Sequence, residues 1–389
     1  MGLHTLCSNS NTKTPLNNLP KTVLRKISLI KEEGINKMSI KLKELGEKKI
    51  VNRIISHIDQ DSRLVGGMGH DSAFLKIEIS RDELLLLNTD RRGINVAYSL
   101  GLSDAECVGD FAVSHAVSDI LAGGGDVIAV TLALLLPENL EIDFVEKVVE
   151  GANKAARRYG ATIVCGDTKE NPKFAAVVTA IGKCKEGRQL LRSGARVGDL
   201  IVVSGELGTM AAGVLAYKKS LELNASEQSV FRDSLRKQRP PFPLTREVAK
   251  EKLANACMDN SDGLSGTIYS ICSNSNVGAV IDKDSVPIST YVKKVADMVG
   301  IDPFTFALGS GDWRHVYAVS PQNWNAFLEV AELSGETPRV IGNFTEDKKV
   351  YLKDGDRKYV FRRVENDRFG GTGMSFFQKI FNGLSFKKE

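Results

Sequence analysis

The sequence predicts an α+β protein of two layered domains, and three observations carry that prediction. The chain has 389 residues, beyond the size at which a single hydrophobic core keeps growing, so two cores are expected. Strand-like and helix-like runs alternate along it, which calls for helices laid on sheets. Several neighbouring strand-like runs are joined too closely for βαβ crossovers, so helices on one face of mixed or antiparallel sheets are expected.

In chain order, residues 1–40 read as a flexible polar extension carrying Lys13, Lys21, Arg25, Lys26 and Lys31, without the apolar stretch of a secretory signal. Leu45, Ile50, Ile54 and Ile55 recur at helical spacing within 41–58. Aliphatic runs at 73–75 and 84–87 read as two strands. Residues 111–121 read as a helix closed by Gly123-Gly124-Gly125, and 127–136 as a strand that stops at Pro137. Phe144, Val148, Val149, Ala152, Ala155, Ala156 and Tyr159 mark one helical face, with Gly160 as its C-terminal cap. Thr162–Val164 reads as a strand, with Ala175–Ile181 expected as its antiparallel partner. The pattern restarts after Gly187-Arg188, with a strand at 200–203 and a helix at 208–217. The run RKQRPPFP at 236–243 interrupts it, and further helix–strand units lead to strands at 339–341 and 350–352. The expected domains are therefore 41–188 and 189–360, with 361–389 as a peripheral tail.

Composition narrows the function. Hydrophobic residues make up 42% and charged residues 26%, the balance of a soluble globular protein. The net charge of +4 is spread along the chain and gives no argument for nucleic acid. No apolar run approaches the roughly 20 residues of a membrane span, so no membrane partner is expected. The six cysteines are scattered and never form C-x-x-C, which fits reduced thiols in a cytoplasm rather than a zinc site or disulfide scaffold. The five histidines form no H-x-x-x-H pair, so a metal would be held mostly by oxygen, which favours magnesium.

Several strand-like runs end on a carboxylate at a turn. The candidates are Asp71 in GHDSA, Asp90 in NTD, Asp119 in VSD, Asp167 in CGDT, and Asp259 with Asp262 in DNSDGL. Carboxylates gathered at one place repel each other unless a cation or a raised pKa compensates, so a true cluster predicts metal dependence. Each Asp taken singly also reads as a turn or helix cap. There is no G-x-x-x-x-G-K-[ST] and no G-x-G-x-x-G after a strand, so a nucleotide site would be neither a P-loop nor a dinucleotide fold. Gly205-Glu206-Leu207-Gly208 opens a helix whose first amides could face a phosphate.

In order and spacing, GHDSAFL, NTD, AVSDILAGGGD, TLALLLP, VCGDT, GRQLLRSGARVGD, MDNSDGL, SNVGAVID and ALGSGD resemble thiamine-monophosphate kinase. More broadly they resemble its superfamily with aminoimidazole ribonucleotide synthetase, selenophosphate synthetase and the hydrogenase-maturation carbamoyl dehydratase. The likeness runs over about 66–345. It implies a two-domain synthetase-like fold whose N-terminal sheets pair into a barrel in a homodimer. It implies ATP bridged by Mg2+ to Asp71, Asp90, Asp119, Asp167, Asp259 and Asp262, with Thr89 also touching metal. Gly166, Asp167, Arg192 and Ser261 fall on nucleotide contacts, and Asp312 and Arg314 on the substrate side.

The substrate side departs from the family pattern. His70 stands where an acid is usual, Ala97 where a histidine is usual, and Gly311 where a glutamate is usual. The expected function is ATP- and Mg2+-dependent transfer of the γ-phosphoryl group to a small anionic acceptor. Two rivals share the fold: a ligase or dehydratase that uses ATP to activate an amide oxygen, and a degenerate nucleotide-binding scaffold.

Overall fold

The structure, a computed structural model, describes residues 40–45, 47–65, 73–261, 263–309 and 311–364. The expectations for residues 1–39 and 365–389, and for Asp71 and Asp262, lie outside the described residues.

Among the described residues the strands form a two-stranded pair, a four-stranded sheet and a seven-stranded sheet. The pair is β1 (Leu64–Val65) with β2 (Phe74–Leu75). The four-stranded sheet holds β3 (Glu83–Arg92), β4 (Asp126–Leu136), β5 (Ile163–Glu170) and β6 (Ala175–Lys185) in the order β3-β6-β4-β5. Two helices, α1 (Glu106–Ala122) and α2 (Ile142–Arg158), cover one face of it. They approach so closely that a Cβ on Gly109 would lie 1.8 Å from the Val148 carbonyl oxygen, and one on Gly151 1.9 Å from that of Glu106.

The expected antiparallel pairing of 162–164 with 175–181 is overturned. β6 lies between β3 and β4, antiparallel to both, and β5 joins the far side of β4 in parallel. The long helix α2 is the crossover that a parallel β4–β5 pair requires. β6 is buried at every second residue along most of its length and fits the interior, whereas β5 is mostly exposed from Gly166 to Glu170 and takes the edge.

Alternation sorts β3 between the faces. Leu86, Asn88, Asp90 and Arg92 point to α1, where Leu86 joins the core and the other three meet α1 side chains. Leu85, Leu87 and Thr89 point to the opposite face, where Leu87 is 65% exposed and Thr89 meets Thr179 across the ladder.

The second sheet holds β7 (Leu200–Val203), β8 (Ala256–Asp259), β9 (Gly278–Asp282), β10 (His315–Val319), β11 (Arg339–Thr345), β12 (Val350–Asp354) and β13 (Arg357–Val360), in the order β13-β12-β9-β11-β7-β10-β8. All its pairs are antiparallel except β12 with β9. Its core gathers Ile201, Val203, Met258, Ile281, Val316 and Phe344 with Leu264 and Ile268 of a helix, Gly263–Ser275. The edge strand β8 lies against α1 of the first domain, and the linking segment is stitched to both sides: Leu190 donates to the Gly123 carbonyl, and Cys257 donates to that of Leu191.

Candidate functional site

Two rows of side chains run along each other where β3 faces α1. Phe111, His115 and Asp119 recur every four residues on α1, and Asn88, Asp90 and Arg92 every two on β3, so each row keeps one face. They pair in register. Asn88 Nδ2 donates to Asp119 Oδ2 at 2.8 Å, His115 Nδ1 lies 2.8 Å from Asp90 Oδ2, and the Arg92 guanidinium sits 5.8 Å from the Phe111 ring centre. The Asn88–Asp119 end opens into a cavity of about 430 Å³ between the domains, lined also by Arg192, Asp259, Leu87 and Cys257.

Electrostatics there are those of crowded acids. Burial, then the neighbouring Asp259 and Asp90 carboxylates, raise the Asp119 carboxyl to about 8, with Arg192 opposing. Burial would also raise Asp90, but the hydrogen bond and charge of His115, with the charge of Arg92, hold it below its ordinary value. Asp259 is 2% exposed and accepts from Ser261 Oγ at 3.2 Å. A second buried row backs the acids: His315, opposite Asp259 in the β-ladder, contacts Thr245 Oγ1 at 2.8 Å through Nδ1 and Ser118 Oγ at 3.4 Å through Nε2. Burial, followed by the Arg314 charge, depresses the His315 imidazole to about 3, so it is neutral.

The expected site residues therefore separate. Asp90, Asp119, Asp259, Ser261 and Arg192 gather at the domain junction. Thr89 faces the other side of the sheet. Gly166 and Asp167 are exposed on the edge strand β5, where Asp167 lies in register with Ala133, Val177 and Arg91 and so shares their open face. Three strand spacings put it roughly 14 Å from β3, on the face opposite Asp90. Within one chain Asp167 does not join the other acids.

On the expected substrate side, Asp312 and Arg314 both have partners within the chain. Asp312 accepts from the amides of Gly208 at 2.6 Å and Met210 at 2.9 Å, at the start of the helix Thr209–Lys218. Its carboxylate thus fills the helix end that the glycine run offered to a phosphate. Arg314 is paired with the half-buried Glu336 at 3.3 Å. A Cβ on Gly311 would meet Met210 Cε at 2.7 Å, and Ala97 is fully buried beside Met210, Val214 and Leu235. Both positions where the resemblance places substrate contacts are closed by apolar packing. Sequence reading missed Asn88, Arg92, His115 and Trp313. The period-two row through Asp90 and the period-four row through Asp119 would have found the first three.

The donor chemistry at the junction fits a hard divalent cation, since the Asp119, Asp259 and Asp90 carboxyl groups lie close enough together to push the Asp119 pKa up. Among the described residues no three His, Cys, Asp or Glu side chains close into a ligand set.

Comparison with known proteins agrees with this architecture. Residues 69–184 match the profile of the AIR synthase related protein N-terminal domain, and residues 196–355 match that of the C-terminal domain. The thiamine-monophosphate kinase of Pyrococcus horikoshii is 31% identical over 319 residues, covering 81% of this chain and 93% of that protein. The crystal structure of thiamine-monophosphate kinase from Stenotrophomonas maltophilia K279a is 26% identical with a TM-score of 0.68, over 79% of this chain and 95% of that one. A solved structure of AaThiL complexed with AMPPCP and TMP is 27% identical with a TM-score of 0.62, over 82% and 98% of the two chains. On these matches the chain belongs to the AIR synthase related family, and within it stands among the thiamine-monophosphate kinases.

Proposed function

We propose that this chain is an ATP- and Mg2+-dependent kinase that passes the γ-phosphoryl group to thiamine monophosphate or a closely related small anionic acceptor. One observation carries the reading: Asp119 and Asp259, with Arg192, line a cavity between the two domains, and Asp90 stands close enough behind them to act on the Asp119 carboxyl. AaThiL, which shares the fold and 27% of its residues, has been solved with a nucleotide analogue and TMP together.

In this reading Mg2+ would be held by Asp90, Asp119 and Asp259 only together with Asp71 and Asp262, which lie outside the described residues, since the described acids close no ligand set by themselves. The cation supplies charge neutralisation at the phosphates. Arg192 faces the nucleotide's phosphates as a guanidinium fork. His115 orients Asp90 and Asn88 orients Asp119, so both acids are preset before a ligand arrives. Positioning and charge are most of what phosphoryl transfer asks of a protein. Thr89 and Asp167 lie on the open face of the four-stranded sheet and would serve through a second copy paired on that face, as a homodimer. No helix among the described residues is long and apolar enough to cross a membrane.

The test is ADP release by the purified protein with ATP and magnesium, with and without thiamine monophosphate. Strong stimulation with thiamine diphosphate as product is expected, and Asp119→Asn should lower kcat by about 100-fold or more if that carboxylate holds the cation. Unstimulated ADP release, or an Asp119→Asn variant as active as the parent, sinks the reading.

A further inference from the structure

A buried polar link crosses the domain junction behind the acids. His315 stands opposite Asp259 in the β8–β10 ladder, so the two side chains share one face of the second sheet. That face meets α1, where Ser118 and Asp119 are consecutive. Ser118 Oγ lies 3.4 Å from His315 Nε2, and the Asp259 charge acts on the Asp119 carboxyl. Two pairs therefore stand side by side across the junction, one of like acids and one of hydrogen-bonding groups. The same segment meets α1 once more, where the Trp313 ring packs edge-on against His115 with ring centres 4.3 Å apart.

Hydrogen bonds fix His315 at each of its polar atoms. Its amide donates to Ser204 Oγ at 3.0 Å, and its carbonyl accepts from the Ser204 amide at 3.1 Å. Thr245 Oγ1 donates to the Pro241 carbonyl at 3.2 Å, and lies 2.6 Å from the Tyr317 hydroxyl and 2.8 Å from His315 Nδ1. A hydroxyl has one proton to give, so the Tyr317 hydroxyl and the Nδ1–H both donate to Thr245. Nε2 is then an acceptor, and Ser118 is its donor. Ser118, Thr245 and His315 are all fully buried, which shields these bonds from solvent.

Asp119 and Asp259 come from different domains and resist close approach unless a proton or a cation compensates. Their separation needs a restraint that neither acid can supply. We propose that His315 is a positioning residue that, through Ser118, holds Asp119 at a set distance from Asp259 and so presets the site for the cation and phosphates. This rests on the kinase reading and adds to it a residue that does not line the cavity. The ring is anchored by its own strand and by Thr245, so the Ser118 end of the link has little freedom to move.

The test is the magnesium dependence of AMPPCP binding, read by calorimetry, beside turnover with ATP and thiamine monophosphate. Ser118→Ala removes only the donor at the junction and leaves the Trp313 contact in place. It should raise the magnesium concentration for half-maximal AMPPCP binding by about 10-fold or more and lower kcat to match, the scale seen when a group behind a metal ligand is lost. The KM for thiamine monophosphate should stay within about threefold of the parent, since the acceptor makes no contact with this link. His315→Gln carries an amide oxygen to where Nε2 stands and should keep the parent's magnesium midpoint. His315→Asn reaches only where Nδ1 stands and should behave as Ser118→Ala does. A side chain that merely packs would lower Tm in both His315 variants without separating their magnesium midpoints. An unchanged midpoint in Ser118→Ala, or equal midpoints in His315→Gln and His315→Asn, overturns the positioning role and leaves the kinase reading standing. If the His315 variants do not fold, Ser118→Ala decides alone. A parent that binds AMPPCP no better with magnesium than without it sinks the kinase reading and this role with it.

Discussion

His315 shows how one buried side chain ties acid stability to the site. It is fully buried, joined to Thr245 and Ser118, and held neutral with its pKa depressed to about 3 from the ordinary 6.5. Because the folded value lies below the unfolded one, the unfolded chain binds one more proton between pH 6.5 and 3. Stability is therefore fully present above about pH 6.5 and is lost as pH falls, by about 1.4 kcal/mol per pH unit. In thermal melts the parent should lose Tm between pH 6.5 and 5 more steeply than a His315→Gln variant, whatever the variant's absolute stability. Parallel curves would show that the imidazole is not the group responsible. That role could not be read from a lone histidine in the sequence, because its partners come from positions 118 and 245. Asp312 is a similar case: the amides it caps lie about a hundred residues away, so its acid looked available for a substrate.

The helix pair α1–α2 fixes where the acids stand. Gly109 and Gly151 let the two backbones touch, and α1 carries both His115 and Asp119. Gly151→Ala would place a methyl group against the Glu106 backbone at 1.9 Å, where no flexible side chain can yield. The helices would have to part, at a cost of at least about 2 kcal/mol. The expected outcome is a lower urea midpoint together with reduced turnover, since α1 is displaced from β3; an unchanged midpoint would mean the pair has slack. These helices were legible from their apolar faces and glycine caps, and so were the strands that end in Asp90 and Asp259. Pairing was not. The stretch 175–181 is next in sequence to 163–170, yet it inserts between β3 and β4, because which strand lies in the interior depends on what covers its two faces. Period two did contain the face assignment that separates Thr89 from Asp90.

The arrangement of the whole chain leaves one large surface unexplained by the chain alone. Helices α1 and α2 cover one side of the four-stranded sheet; on the other, Leu64 and Leu75 of the β1–β2 pair pack near Ile181, but Leu85 at 48% and Leu87 at 65% exposure stay open. Exposed apolar sheet faces of this kind are usually paired. Thr89 and Asp167 lie on that same face, away from Asp90, Asp119 and Asp259. A second copy laid face to face would bury the leucines and bring an Asp167 toward a neighbouring chain's sheet, which a single chain cannot do. Sedimentation of the parent should therefore report a dimer at micromolar concentration. Leu85→Glu, which buries charge at the contact, should give a folded monomer, and turnover should fall with the dimer fraction if Asp167 acts across it. A parent that sediments as a monomer while turning over at full rate would confine catalysis to the acids at the domain junction and leave Asp167 with no part in it.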